Sequence, residues 1–210
     1  MGAQDQAFLS DVIFADGEFQ PGGVVVDDRG KIIATAKSES ALTNLTRLKD
    51  RAILPGLVNA HSHAFQRVIR GQTEYRSGHT TDSFWTWRER MYSAAARLGP
   101  GDIYDASRMA FLEMALSGIT SVGEFHYLHH APDGTPYDDP NLLAKEVVRA
   151  ARDVGLRICL LRVAYERSGF ELEQNPQQLR FIERDPEIYL RNLEELRSEQ
   201  SETVTVGIAP

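Results

Sequence analysis

Two histidines separated by one residue, His61 and His63, close the run Ile53-Leu54-Pro55-Gly56-Leu57-Val58-Asn59-Ala60-His61-Ser62-His63. The run begins as an apolar stretch of strand length, and in a strand residues i and i+2 point to the same face. The two imidazoles therefore aim at one spot. A divalent metal such as zinc accepts imidazole nitrogen at about 2.0–2.1 Å, and catalytic zinc usually takes three protein ligands plus water. The pair begins such a site without completing it. Taken alone, it also fits two polar residues at a strand end. A second group of candidates is Glu124-Phe125-His126-Tyr127-Leu128-His129-His130. Glu124 and His126 share a strand face there and read as structural hydrogen-bonding groups rather than as ligands.

The elements around these residues must place them. Up to about residue 50 the chain reads as short strands and turns: Phe8 to Phe14, Gly23 to Val26 and Lys31 to Thr35, with Asp27-Asp28-Arg29-Gly30 as a hairpin turn. From residue 51, strands and helices alternate, which argues for a parallel sheet with crossover helices. The first strand spans about 52–60. A helix runs from Asp82 to Arg97 with Thr81 or Asp82 as N-cap, and its stripe Phe84, Trp87 and Met91 reads as core. Gly101-Asp102 caps a second helix to Leu116, with Ile103, Ala106, Ala110 and Met114 buried and Gly118 at its end. Strands follow at Ile119 to Phe125, Leu156 to Ala164 and Val204 to Ala209. Between them, Asp139-Pro140 opens a helix that Gly155 closes. Asn175-Pro176 and Asp185-Pro186 repeat the cap-plus-proline device, and Tyr189, Leu193 and Leu196 mark the inner face of the last helix.

Composition narrows the class. With 42% hydrophobic and 25% charged residues the chain is ordinary for a globular protein. A net charge of −7 spread along the chain offers no surface for nucleic acid or anionic membrane. No apolar run approaches the ~20 residues of a membrane span, and the first residues do not read as a signal peptide. The single Cys159, in an apolar strand, excludes an internal disulfide and reads as a small core residue in a reducing, cytoplasmic setting.

Leu54-Pro55-Gly56-Leu57-Val58-Asn59-Ala60-His61-Ser62-His63 resembles the first barrel strand of the amidohydrolase superfamily. Three further stretches occur in order: His61 to Arg67, the aromatic segment Asp82-Ser83-Phe84-Trp85-Thr86-Trp87-Arg88-Glu89, and Glu124 to His130 followed by Asp133-Gly134-Thr135-Pro136-Tyr137. Together they resemble the formimidoylglutamate deiminase branch of that superfamily, over nearly all of residues 51–210. The resemblance implies an α/β chain: the first half of a (β/α)8 TIM-type barrel preceded by part of a small β-sandwich domain. Residues 1–50 would form the N-terminal part of that composite β-domain, and residues 51–210 the first four β/α units. A barrel needs eight strands, so the chain is expected to be a fragment of a protein roughly twice as long and to be inactive alone.

The resemblance further implies one Zn2+ per subunit, with His61 and His63 as metal ligands. It implies hydrolysis of N-formimidoyl-L-glutamate to N-formyl-L-glutamate and ammonia, a step of histidine degradation, in a homodimeric enzyme. The remaining ligands and the general acid and base groups would come from later strands, beyond Pro210, so no catalytic residue is expected within 1–210. Gln66, Arg88 and Tyr127 would contact the small dicarboxylate substrate. A guanidinium meets a carboxylate bidentately, and Arg88 shares a helical face with Trp85 and Tyr92. Each also has a plainer reading: Arg88 as a surface cation paired with a glutamate, Gln66 as a loop cap, Tyr127 as rim packing. A second metal site at His126, His129 and His130 is not expected. Two other functions stay open: a deaminase acting on a ring amine of guanine or triazine type, and a non-catalytic barrel remnant.

Overall fold

The computed structural model describes residues 5–36, 44–74 and 84–210. The Thr81 or Asp82 cap and the polar segment around His79 lie outside the described residues. The chain divides into two compact units, residues 1–56 and 57–210.

The first unit holds one mixed sheet in the order β3-β2-β1-β4, built from β1 (Gln6–Ala15), β2 (Glu18–Val26), β3 (Ile32–Ala36) and β4 (Leu45–Ile53). β1 and β2 are antiparallel, whereas β1 and β4 are parallel. β2 is longer than its sequence suggests, because Pro21-Gly22-Gly23 stays in the strand instead of ending it. Gly23 is obligatory there, since a Cβ would overlap the Phe8 carbonyl oxygen. The Asp27 turn forms as expected, its carboxylate accepting from the amides of Arg29 and Lys31.

The strand expected over about 52–60 is two strands. Residues to Ile53 belong to β4, and β5 (Leu57–Ser62) starts afresh in the second unit. Pro55 has no amide proton to give a ladder, so the break falls where hydrogen bonding must fail.

The second unit is a parallel sheet in the order β5-β6-β7-β8, with β6 (Ile119–His126), β7 (Arg157–Val163) and β8 (Val204–Ala209). Among the described residues four α-helices accompany it: α1 (Phe84–Ala95), α2 (Pro100–Leu116), α3 (Leu142–Val154) and α4 (Pro186–Leu196). The sheet has two chemically different faces. Val122, Ile158, Leu160, Val204 and Val206 join Ile103 and Phe111 of α2, Leu143, Val147 and Val148 of α3, and Leu193 and Leu196 of α4 in one core. Burying a Val or Leu side chain stabilises by roughly 1.5–3 kcal/mol. Helix propensity differences are at most about 0.7 kcal/mol for ordinary residues, so packing decides α3. On the other face lie Gly123 and Phe125, half-buried, and Cys159, exposed. Cys159 is thus not a core residue: alternation along β7 turns it away from the helices.

Helix ends follow local chemistry with two shifts. α2 begins at Pro100, with the Asp102 carboxylate accepting from the Gly99 amide at 2.8 Å. Its buried stripe is Ile103, Ala106, Ser107, Ala110 and Phe111, while Met114 is only partly buried. Asp139 does not cap α3. It accepts from the Asn141 amide in a preceding turn, and Asn141 takes the cap position. Gly155 closes α3 at φ 82°, a left-handed position glycine occupies without penalty. Asp185 caps α4 as expected. Asn175 opens a 3-10 turn over Pro176–Phe181 rather than an α-helix.

A buried ionic network ties β7 to the helices. Arg162 gives two parallel bonds to Glu183, at 2.6 and 2.9 Å, with both side chains almost wholly excluded from water. Asn141 accepts from Arg162 Nε, Asn192 donates to Glu183, and the Tyr189 hydroxyl donates to the Arg162 carbonyl. Removing one partner of such a pair leaves an uncompensated buried charge. Glu183→Ala is therefore expected to lower unfolding stability by about 3–5 kcal/mol, read from urea denaturation. A loss below about 1 kcal/mol would mean that the guanidinium finds water instead.

Candidate metal centre and adjoining cavity

His61 is the penultimate residue of β5 and His63 follows the strand directly. The pairing of β5 with β6 slips between Asn59 and Ser62, a local irregularity in the ladder. Across it, Asn59 Oδ1 accepts from the His61 amide at 3.2 Å. The two imidazoles then converge: His61 Nε2 and His63 Nε2 are 3.1 Å apart, with ring planes perpendicular. Two nitrogens at that separation, each about 2.0–2.1 Å from a shared ion, subtend about 98° at it. In the metal-free protein the same spacing lets one ring donate to the other.

His63 is oriented from behind. Its Nδ1 donates to the Phe125 carbonyl at 3.1 Å, which leaves Nε2 with its lone pair facing His61. Burial holds the His63 imidazolium below its ordinary range, against the Phe125 carbonyl that favours it and with neighbouring His61 opposing it. The ring is therefore neutral at pH 7, as a ligand must be. The donor set fits a zinc ion as far as it goes. Among the described residues no group of three His, Cys, Asp or Glu side chains comes together.

Beside His63 opens a cavity of about 480 Å³. Gln66, Arg88 and Tyr127 all line it, so the structure brings together the three side chains singled out in the sequence. Gln66 Nε2 donates to the Tyr127 hydroxyl at 2.8 Å. Burial raises the Tyr127 phenol well above its ordinary range, so it stays protonated. Arg88 is held as its spacing suggests: Nε donates to the Tyr92 hydroxyl, and the guanidinium lies 5.6 Å from the Trp85 ring centre and 5.2 Å from that of Tyr92. Arg180 fixes the end of the helix that carries Arg88 by donating to the carbonyls of Ala95 and Leu98.

Phe84, Trp87 and Met91 line the cavity as well, and Phe84 is exposed. The stripe is a wall rather than a closed core, although Met91 is buried and Trp87 packs against the core. Sequence reading missed Arg167, Ser168 and Phe181 in the lining. Tyr165, also there, carried a signal in its place just past β7. Pro210 was read as the end of the fourth strand, where a barrel's active site sits, with the acid and base groups expected beyond it. The structure gives it a place in the site itself: it follows β8 directly and lines the cavity. The end of the fourth parallel strand therefore opens onto the same space as the ends of the first three.

Other candidates face elsewhere. Arg162, Glu124 and His126 lie on the helix side of the sheet, buried. His129 and His130 each turn Nε2 to a backbone carbonyl, of Val163 and Ile182 respectively, both at 2.9 Å. Glu124 Oε1 accepts from the Ala64 amide at 2.7 Å. Burial pushes this carboxyl up to about 7, opposed by the Ser62 hydroxyl and the Ala64 amide.

Residues 52–210 match the family model described as the amidohydrolase family. The chain belongs to the amidohydrolase family. It is 40% identical over 192 residues to formimidoylglutamate deiminase of Pseudomonas aeruginosa, covering 89% of this chain and 42% of that protein. Among solved structures, the amidohydrolase from Brucella melitensis superposes with TM-score 0.86 and 34% identity over 98% of this chain and 46% of that one. Atrazine chlorohydrolase TrzN from Arthrobacter aurescens, solved with zinc, shares the fold at TM-score 0.73 and 21% identity, over 96% of this chain and 46% of that one. This amidohydrolase chain thus spans less than half the length of the proteins it matches. Its α/β architecture, with a mixed sheet ahead of four parallel strands, corresponds to the N-terminal part of their fold. Among its described residues no helix is long and apolar enough to cross a membrane.

Buried histidines give the chain a pH signature. Burial, with Arg162 adding to it, holds His126 down to about 3, and His129 lies well below 6.5 for the same two reasons. A folded-state value below the unfolded one means stability is full above about 6.5 and is lost as pH falls toward the folded value. The melting temperature should therefore fall between pH 7 and pH 5. Glu124, with its raised value, contributes with the opposite sign, so the comparison is made between variants. His126→Gln should flatten the fall, and an unchanged slope would show that His126 does not carry it.

Proposed function

We propose that the complete protein is a zinc-dependent hydrolase that deiminates N-formimidoyl-L-glutamate, giving N-formyl-L-glutamate and ammonia in histidine degradation. The observation that carries this reading is the charge of the cavity. Its described lining holds Arg88, which no described carboxylate pairs with, and Arg167, which is ion-paired with Glu166, in a chain of net charge −7. It opens beside the paired Nε2 atoms of His61 and His63. A cationic cavity next to a metal-binding pair suits a small anionic substrate better than a neutral ring. The 40% identity to a formimidoylglutamate deiminase supports the same substrate.

His61 and His63 would hold the zinc, and bound zinc would supply a water whose pKa is lowered toward about 7. Arg88 grips a substrate carboxylate with its planar fork, already oriented by Tyr92 and Trp85. Tyr127, kept protonated, and Gln66 present donors to the substrate's polar atoms. Trp87, Phe125 and Phe181 form apolar walls that keep water from the reacting carbon. The general acid and base lie outside these residues, in the part of the protein beyond Pro210. The setting is the cytoplasm, the assembly a homodimer, and residues 1–210 by themselves release no ammonia.

The test is ammonia release by the complete protein from N-formimidoyl-L-glutamate and from guanine, before and after chelation. Turnover of the first substrate alone, abolished by chelator and restored by zinc, supports the reading. Turnover of guanine alone overturns it in favour of a ring deaminase.

A charge-assisted hydrogen bond contributes about 1.5–3 kcal/mol. Arg88→Ala should therefore lower kcat/KM for N-formimidoyl-L-glutamate by about tenfold to a hundredfold. Arg88→Lys should recover little of it, because an ammonium has neither the fork nor the stacking plane. Steady-state kinetics decide, and full activity in the lysine variant would reduce Arg88 to a point charge.

A further inference from the structure

Three consecutive residues of β6 touch the segment that carries His61 and His63. Gly123 lies against Ala60, so closely that a Cβ on it would sit 3.1 Å from the Ala60 carbonyl oxygen. The Glu124 carboxylate accepts from the Ala64 amide at 2.7 Å. The Phe125 carbonyl accepts from His63 Nδ1 at 3.1 Å. The first contact precedes the histidine pair, the second follows it, and the third orients a ring within it. The β5–β6 register shifts between Asn59 and Ser62, and pairing resumes between the histidines only where Ser62 meets Glu124.

From these contacts we infer that Glu124 is a positioning residue for the metal centre: by binding the Ala64 amide it fixes the backbone on which the His61 and His63 nitrogens converge. The carboxyl is 1% exposed, faces away from the cavity, and gives Oε1 to that one backbone amide. Leaving that amide unpaired in a buried turn is costly, and the turn would relax to find another acceptor. The residue next to the relaxed turn is His63, whose nitrogen must meet that of His61 within tenths of an ångström. The inference rests on the proposal that His61 and His63 bind zinc.

The test is zinc affinity of the complete protein, measured by competition with a chromophoric chelator, together with the visible spectrum of the cobalt(II) form. Removal of a group supporting a metal ligand typically costs about 10–100-fold in metal affinity. Glu124→Ala should lose that much and shift the cobalt spectrum. Glu124→Gln keeps an oxygen for the Ala64 amide and should stay within about threefold of the parent. Gly123→Ala presses on Ala60 at the other side of the pair and should also weaken zinc binding, which provides a second route if Glu124→Ala does not fold. Tyr189→Phe, which removes a buried hydrogen bond on the far side of the sheet, should lower the melting temperature without changing zinc affinity. Parent-like affinity in Glu124→Ala, or equal loss in Glu124→Gln and Glu124→Ala, overturns the inference. Failure of the parent protein to bind zinc at all overturns instead the metal assignment of His61 and His63.

Discussion

The parallel ladder from β5 to β8 is the constraint on which the site depends. Successive residues of a strand face opposite sides, so each strand end sorts its polar residues into two environments. On one side Phe125, Tyr127, Val163 and Tyr165 reach the cavity. On the other, Glu124, His126 and Arg162 enter the helix layer and lose contact with water. A shift of pairing by one residue would exchange the sets, placing aromatic rings among the helices and a buried guanidinium in the cavity. The in-register pairing of β6 with β7 and of β7 with β8 forbids this, because the aliphatic partners Val122, Ile158, Leu160, Val204 and Val206 would be exposed at the same time. The hydrophobic core thus sets the orientation of groups it does not touch.

Charges on the helix side obey the cost of desolvation. Arg162 is tolerated there because Glu183 meets it in a bidentate arrangement and Asn141 and Asn192 take up further donor and acceptor positions. His126 and His129 take the other course and remain neutral. The two solutions are linked, since the Arg162 charge itself discourages protonation of both histidines. The layer behind the site is therefore polar in composition, with the Arg162–Glu183 pair as its compensated charge on β7. That arrangement favours a single, rigid placement of the strand ends over maximal stability.

Much of this was legible in the amino-acid sequence, and the misses have physical causes. The His-x-His pair, the alternation of strands and helices, and the Asp185-Pro186 cap depend on local spacing, which the sequence displays. So does the shared face of Trp85, Arg88 and Tyr92. Cys159 looked like core because its strand is apolar throughout, and only the sheet's two-sidedness reveals which alternate residues are covered. Asp139 looked like a helix cap because Asp-Pro is a common opening. The cap moved to Asn141, whose side chain is engaged with Asn192 and Arg162 from distant parts of the chain. Phe181 and Arg167 joined the cavity through tertiary folding of the segment after β7, for which no periodic signal exists. Pro210, in contrast, was placed at a strand end by the sequence, and parallel pairing brings the end of β8 level with the end of β7 beside the cavity. Phe84 was assigned to the core by helical spacing, yet that face of α1 opens onto the cavity.

The cavity departs from the electrostatic average of its chain, and that departure has an energetic logic. Of the two guanidinium groups in its lining, Arg167 is ion-paired with Glu166. Among the described residues no carboxylate pairs with Arg88: the Tyr92 hydroxyl accepts from it and two aromatic faces flank it. Those contacts orient a cation while neutralising little of its charge. A surface cation selected only for solubility would gain more from an acidic neighbour, as Arg67 and Arg70 do by sharing Glu113. Arg88 is instead left, among the described residues, without a carboxylate partner inside a cavity, which is what the proposed carboxylate substrate would need. The same aromatic helix that supplies the cavity wall therefore also supplies its guanidinium.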